Sequence, residues 1–354
     1  MANLPGATTA PAAPPGGRAG RSRRTTALIT GLIAVAGALV LISALSLAFG
    51  ARQVPLPTVI EALTAPDGSG DHTVIRELRV PRTVLGIAVG AALGLAGALM
   101  QSLTRNPLAD PGLLGVNQGA AFGVAAAISL LGITDPVGYV WFAFGGAAVA
   151  SALVYSLGSA GRAGASPTRL ALAGVALGMV FIAATSLILR MDARTFDRMR
   201  FWMTGSLAAQ TPDVLVRLLP FIAAGMVIGL LLARPLNLLA LGDETGRALG
   251  LAVGRTRMVT GMAVTLLCGS ATAAAGPLWF VGLAVPHAVR TLVGPDLKWV
   301  LPYSALLAPV LLLGADIVGR VIASPGEVQA GIMCSVLGAP VFILLARRRR
   351  LAGL

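Results

Sequence analysis

TVLGIAVGAALGLAGALMQSLTRNPLADPGLLGVNQGAAFGVAAAISLLGIT, residues 83–134, contains two uncharged apolar spans, 83–104 and 111–134. They are parted at Asn106-Pro107-Leu108-Ala109-Asp110-Pro111-Gly112. About 20 helical residues cross a hydrocarbon core of about 30 Å, so each span reads as a membrane helix. Lipid offers no partner for free backbone amides, and irregular backbone there must be buried in protein or line a pathway. Two prolines, an amide and a carboxylate at a membrane face are therefore more than a connector.

The rest of the chain has the same character. Of its 354 residues 56% are hydrophobic and 12% charged, with a mean hydropathy of +0.84. A soluble domain carries about 25% charged residues. The expected fold class is an all-α polytopic membrane protein. The 44 glycines suit close helix–helix approach in a bilayer, where small residues replace the hydrophobic driving force. Arg outnumbers Lys 26 to 1, which also fits a high-GC compositional bias. Cys268 and Cys334 lie inside apolar spans, against a disulfide framework. His72 and His287 have no metal-ligand spacing.

Residues 1–20 are rich in Pro, Gly and Ala and are expected to be disordered. With Arg18, Arg21, Arg23 and Arg24 they form a basic cytoplasmic tail, 1–24, ahead of one membrane domain, 25–350. The 23 uncharged residues Ala27–Phe49 exceed a signal-peptide core of about 7–15 residues and read as the first membrane helix. Further uncharged runs cover 83–104, 111–134, 136–161, 170–189, 218–233, 258–289, 299–315 and 328–346. The 258–289 run would be roughly 48 Å as one helix, too long for a single crossing. Gly276-Pro277 is a natural break within it, which gives ten spans with both termini cytoplasmic. This topology puts 17 of the 27 basic residues inside, in keeping with the positive-inside bias. The loop 190–217 resists it, being external yet carrying Arg190, Arg194, Arg198, Arg200 and Arg217.

A phosphate-binding loop needs Gly-Lys-Ser/Thr opening a helix, and the only lysine, Lys298, stands between Leu297 and Trp299. The chain is not expected to be an ATPase or any other enzyme. Intramembrane carboxylates, the mark of ion relays, are nearly missing. Asp316 is the single candidate, and pairing with Arg320 at i, i+4 is its simplest role. The segment LNLLALGDETGRALGLAVGRTR (236–257) is too apolar for a loop that only faces water, and exposed apolar surface marks a partner site.

The segment 79–123, RVPRTVLGIAVGAALGLAGALMQSLTRNPLADPGLLGVNQGAAFG, resembles the signature region of the FecCD-type permeases. These are the iron-siderophore and cobalamin importer subunits of type II ABC importers. FWMTGSL (201–207), LALGDETGRALGL (239–251), GPLWFVGLAVPHAVR (276–290), LPYSALLAPVLLLGAD (301–316) and GAPVFILLARRR (338–349) match the family in order. The resemblance spans about residues 27–350. It implies the type II ABC importer permease fold, ten helices per subunit, with two ATPase subunits below and a substrate-binding lipoprotein above. ATP and Mg²⁺ would be bound by the ATPases, and no cofactor by this chain.

By the same resemblance, Arg79, Arg82 and Arg320 match external arginines that pair with glutamates of the binding protein, and snorkelling is the alternative for the first two. Asp243, Glu244, Thr245, Gly246, Arg247, Ala248, Leu249 and Gly250 match the coupling helices that sit in an ATPase cleft. Asn106, Pro107 and Leu108, with Ser166, Pro167 and Thr168, match cytoplasmic gates, although Asn-Pro also makes an ordinary turn. His287 reads as structural. The family usually has proline at Gln329, often Thr at Cys334, and a small residue at Trp279, where a bulky ring puts the pathway width in question.

The function expected is a multi-pass cytoplasmic-membrane permease for a ferric siderophore, with cobalamin or haem as near alternatives. A stand-alone secondary transporter or a receptor-like scaffold is the alternative from another class. A second permease, in a heterodimer or alternatively a homodimer, and membrane lipid are the other partners expected. Nucleic acid is not.

Overall fold

The computed structural model describes residues 17–50, 53–160, 167–208 and 212–350, and among them there is no strand. The helices are α1 (Gly17–Ala48), α2 (Leu56–Thr64), α3 (Gly70–Thr73), α4 (Val80–Thr104), α5 (Val116–Leu131), α6 (Pro136–Ser159), α7 (Pro167–Met191) and α8 (Ala193–Trp202). They continue as α9 (Pro212–Leu231), α10 (Ala233–Ala240), α11 (Asp243–Ala248), α12 (Val253–Ala275), α13 (Val281–Val293), α14 (Leu297–Ile322) and α15 (Ala330–Arg350). A π-helical turn, Val74–Arg79, fuses α3 to α4.

Seven spans are long and apolar enough to cross a membrane: α1, the fused α3–α4, α6, α7, α9, α12 and α14. Shorter apolar helices, Val116–Leu131, Val281–Val293 and Ala330–Pro340, stand where three further spans were expected. The long 258–289 run breaks as its sequence indicates. Helix α12 ends at Ala275, Gly276 takes φ 73°, a conformation that costs glycine no Cβ clash, and α13 starts at Val281.

The tail boundary differs from the expectation. Helix α1 begins at Gly17, so its four arginines are helical rather than tail, while residues 1–16 lie outside the described residues. Arginine is a good helix former, and the apolar run behind it lets the helix propagate backwards at little cost.

Helix α4 is the centre of the molecule. It packs against α9, α12, α13 and α14, and almost all of it from Val89 to Gln101 is buried. Its glycines make this possible. At Gly94 an added Cβ would run into the Ser304 carbonyl of α14, and at Gly97 into the Gly282 carbonyl of α13. Such backbone-to-backbone approach is how membrane helices gain van der Waals contact. Helix α1 lies outside this core against α14, where the Tyr303 hydroxyl donates to the Leu28 carbonyl at 2.6 Å.

The basic segment 190–202, expected as part of an external loop, is also structured. Asp192 caps α8 by accepting from the Arg194 amide at 3.0 Å, and the Thr195 hydroxyl donated to its carboxylate holds Asp192 below the usual carboxylate range. Met199 and Trp202 are buried while Arg194, Arg198 and Arg200 face outward. The segment folds because it is amphipathic, which the charge count alone concealed.

Candidate functional site

The inner end is organised around one carboxylate. Helix α4 stops at Arg105, whose φ of 51° turns the chain sharply. Arg105 Nη2 donates to the Leu239 carbonyl at 2.8 Å and pairs closely with Asp243. From the other side Arg257 Nη2 reaches Asp243 Oδ1 at 3.0 Å and Oδ2 at 2.9 Å. Asp243 opens the short helix α11, so its side chain ties that helix to the ends of both α4 and α12. Around it Glu244, Thr245, Arg247, Ala248, Leu249 and Gly250 are exposed, and only Gly246 of this run is buried. Leu241 (61% exposed) and Leu249 (57%) give the exposed surface an apolar centre.

The break after α4 begins at this face and ends at depth. Asn106 Oδ1 accepts from the Leu108 amide at 2.9 Å, an Asx turn, and Leu108 is 49% exposed. Ala109 and Pro111 are then buried, and Asp110 Oδ1 accepts from the Gly112 amide at 2.7 Å to start a 3-10 turn, Pro111–Leu114. A methyl group added at Gly282 would stand 3.0 Å from both the Leu93 carbonyl oxygen and Pro111 Cδ. Leu93 is eleven residues before the end of α4, about 16 Å at 1.5 Å per residue. At the start of α5, Gln118 Cγ lies 3.7 Å from the position of a Cβ on Gly178, likewise eleven residues inside α7. The segment therefore re-enters the helical bundle, and α5 is short because irregular chain supplies its inner part. The expectation of a break lying wholly at the face is corrected: Gly282 leaves room for Pro111, and Asp110 supplies the cap that the turn needs.

At the outer end three arginines converge on a cavity of about 440 Å³. Arg82 Nε lies 3.0 Å from Asp316 Oδ2, its Nη2 2.7 Å from Oδ1, and its Nη1 2.8 Å from Glu327 Oε2. Arg320 pairs with Asp316 through Nε at 3.1 Å and donates to the Ser46 and Phe49 carbonyls at 3.1 and 2.9 Å. Arg79 Nη1 donates to the Leu47 and Ala48 carbonyls at 2.6 and 2.8 Å. Asp316 is fully buried, and the pairing with Arg320 expected from sequence is present.

The FecCD transport family model matches residues 38–348. The chain belongs to this family. It is 48% identical over 329 residues to the ferric enterobactin transport system permease protein FepD of Escherichia coli K12, covering 92% of this chain and 98% of that one. It is 41% identical over 303 residues to the probable siderophore transport system permease protein YfiZ of Bacillus subtilis 168, covering 86% and 91%. The structure of an inward-facing ABC transporter of metal-chelate type superposes with a TM-score of 0.79 at 28% identity, covering 90% of this chain and 99% of that one.

Set on this FecCD permease, the sequence-predicted residues fall into two groups. Glu244, Thr245, Arg247, Ala248, Leu249 and Gly250 form one exposed surface with Leu241, whereas Asp243 turns inward to Arg105 and Arg257. Asn106 and Leu108 are exposed beside that surface, with Pro107 half-buried between them. Pro167 opens α7 and Thr168 is exposed; Ser166 lies outside the described residues. Arg79, Arg82 and Arg320 share one cavity, but each already has partners within the chain. Of the departures from the family pattern, Cys334 is fully buried and Trp279 is 41% exposed. His287 is buried, as a structural residue would be. Sequence reasoning missed Arg105 and Arg257, which entered only a topology count, and missed the depth of Asp110. The signal available was an arginine set directly before Asn-Pro, where a turn frees its side chain to reach another loop at the same end of the bundle.

Proposed function

We propose that this chain is one of two permease subunits of an ATP-driven importer that carries a ferric siderophore across the cytoplasmic membrane. In this reading the chain crosses ten times with both termini inside and performs no chemistry itself. Two separate ATPase subunits bind ATP and Mg²⁺, and an extracytoplasmic lipoprotein delivers the ligand. The second permease is a similar but distinct chain. Ten crossings are supported by the re-entrant segment before α5 and the irregular residues 276–280 before α13, which extend the short helices.

The observation that carries the mechanism is the Arg105–Asp243–Arg257 link. An ATPase gripping the exposed side of α11 displaces Asp243, and Arg105 passes that displacement to the first residues of the re-entrant break. The inner end of the pathway thus opens or closes with the state of the ATPase. Outside, an acidic side chain of the binding protein enters the arginine cavity by replacing Glu327 on Arg82, an exchange of like charge for like that costs little net desolvation. The ferric-siderophore assignment rests on the 48% identity to the ferric enterobactin permease over nearly the whole chain.

Uptake of labelled ferric siderophore should vanish when the gene is deleted and return with the wild-type gene, while cobalamin uptake is unchanged. Uptake that persists without the gene, in cells lacking a redundant importer, overturns the reading. Transport by the purified chain alone in liposomes would make it a stand-alone transporter.

A further inference from the structure

A groove of about 540 Å³ lies where the end of α9 and the start of α14 meet, walled by Leu230, Leu231, Arg234, Lys298, Leu301 and Pro302. It is separate from both ends of the pathway described above. Leu231 is 74% exposed and Leu230 44%, on spans that are otherwise long and apolar. Arg234, at the start of α10, and Lys298, at the start of α14, are exposed, and neither has an ion-pair partner among the described residues. The carboxylate beside them, Asp296, is committed elsewhere: its Oδ1 accepts from Asn237 Nδ2 at 2.7 Å and from the Lys298 amide at 3.0 Å.

Positive-inside topology accounts for cations at these helix ends. It does not account for two of them, from separate spans, meeting over one leucine-lined groove without a counter-ion. Two fixed positive charges at headgroup level above an apolar wall match a molecule with an anionic head and a hydrocarbon tail. Basic pockets between membrane helices on the cytoplasmic side hold such headgroups. We propose that the groove holds an anionic phospholipid of the cytoplasmic leaflet, its phosphate between Arg234 and Lys298 and one acyl chain along Leu230, Leu231 and Leu301. The lipid bridges the α9–α10 junction to α14, and α10 leads into the coupling segment.

The full-length chain, with the subunits that co-purify, is placed in phosphatidylcholine nanodiscs containing graded phosphatidylglycerol, and retained lipid is counted by native mass spectrometry. Wild type is expected to retain phosphatidylglycerol in preference to phosphatidylcholine. Arg234→Gln/Lys298→Gln is expected to lower that preference about 30-fold, from roughly a fivefold contribution per cation at a membrane surface. Arg23→Gln, which removes a charge elsewhere on the inner face, should leave it intact, and Arg234→Lys/Lys298→Arg should retain it. Equal retention of the two lipids by wild type, the same preference in the double Gln variant, or an equal loss in Arg23→Gln each overturns the proposal. So does displacement of the retained phosphatidylglycerol by an equal concentration of inorganic phosphate, since the leucine wall would then play no part. If the double Gln variant fails to fold, the wild-type lipid comparison and the charge-conserving variant still decide.

Discussion

Asp243→Asn keeps the shape of the side chain and removes the charge that joins α11 to α4 and α12. Its two arms are unequal. Arg257 is 11% exposed and donates twice to the carboxylate, whereas Arg105 is 37% exposed and Asp243 itself 28%. Hydrogen bonds to charged groups contribute about 1.5–3 kcal/mol, and solvent-exposed ion pairs only about 0.2–1 kcal/mol. Discounting the Arg105 arm for screening, the loss of charge weakens the link by about 2–3 kcal/mol. That shifts the ratio of tied to untied states by about 30- to 150-fold.

The assay is the reconstituted importer in nanodiscs, with ATP hydrolysis and ligand transport measured on the same preparation. In Asp243→Asn, hydrolysis should continue while ligand moved per ATP falls. Hydrogen exchange at the amides of residues 106–112 should rise, because Arg105 no longer holds the start of that segment. Arg105→Gln alone should reproduce the smaller part of the effect, and the double variant should fall short of additivity, as residues sharing one contact do. Unchanged transport per ATP together with unchanged exchange at 106–112 in Asp243→Asn would refute the reasoning.

Six further perturbations separate structure from mechanism. Asp316→Ala removes the carboxylate that the buried Arg320 and the half-buried Arg82 share and should cost about 3 kcal/mol, read as a lower unfolding temperature in detergent; Glu327→Gln, at a 35% exposed carboxylate, should cost at most about 1 kcal/mol and tighten docking of the proposed binding protein, measured by interferometry. Gly97→Ala drives a methyl group into the Gly282 carbonyl and should cost about 1–3 kcal/mol or more, with loss of the monodisperse complex on gel filtration. Gly261→Ala, which meets nothing within 4 Å, should be neutral or gain about 0.5–1 kcal/mol. Asn106→Ala or Leu108→Ala should leave assembly intact and change transport per ATP; no change in either makes the segment a plain turn. The effects of Arg82→Gln and Asp243→Asn on transport should be non-additive, and additivity within about 0.5 kcal/mol would mean that the two ends act independently.

The apolar spans were legible because a bilayer demands length and low charge, and both are properties of a single stretch of chain. The Gly276-Pro277 break was legible for the same reason: 32 apolar residues cannot be one crossing. What could not be read was whatever depends on two distant stretches meeting. Arg105 looks like a topology marker until α11 brings Asp243 to it, 138 positions later. Arg320 has its i, i+4 carboxylate in view, but Arg79 and Arg82 look like free cations, because nothing local shows that the carbonyls at the end of α1 and the carboxylate of Asp316 await them. The depth of Asp110 depends on Gly282 leaving a gap across the bundle. Local sequence records which segments enter the membrane, and only packing records how far.

Helix α4 carries both clamps. Arg82 stands in its first turn, paired to Asp316 and Glu327, and Arg105 caps its other end, paired to Asp243. The 22 residues between them span about 35 Å, and the glycines along that length bring neighbouring backbones into contact. A helix so packed has no soft layer in which to absorb a push, since close-packed interiors transmit strain rather than dissipate it. The proposed exchange of Glu327 at one end and displacement of Asp243 at the other would therefore act on the same rigid body from its two ends. In the importer proposed above, a ligand-loaded binding protein and an ATP-loaded ATPase would need no chain of intermediates to sense one another. Each biases the position of α4, and by linkage whatever one does to that equilibrium alters the work required of the other.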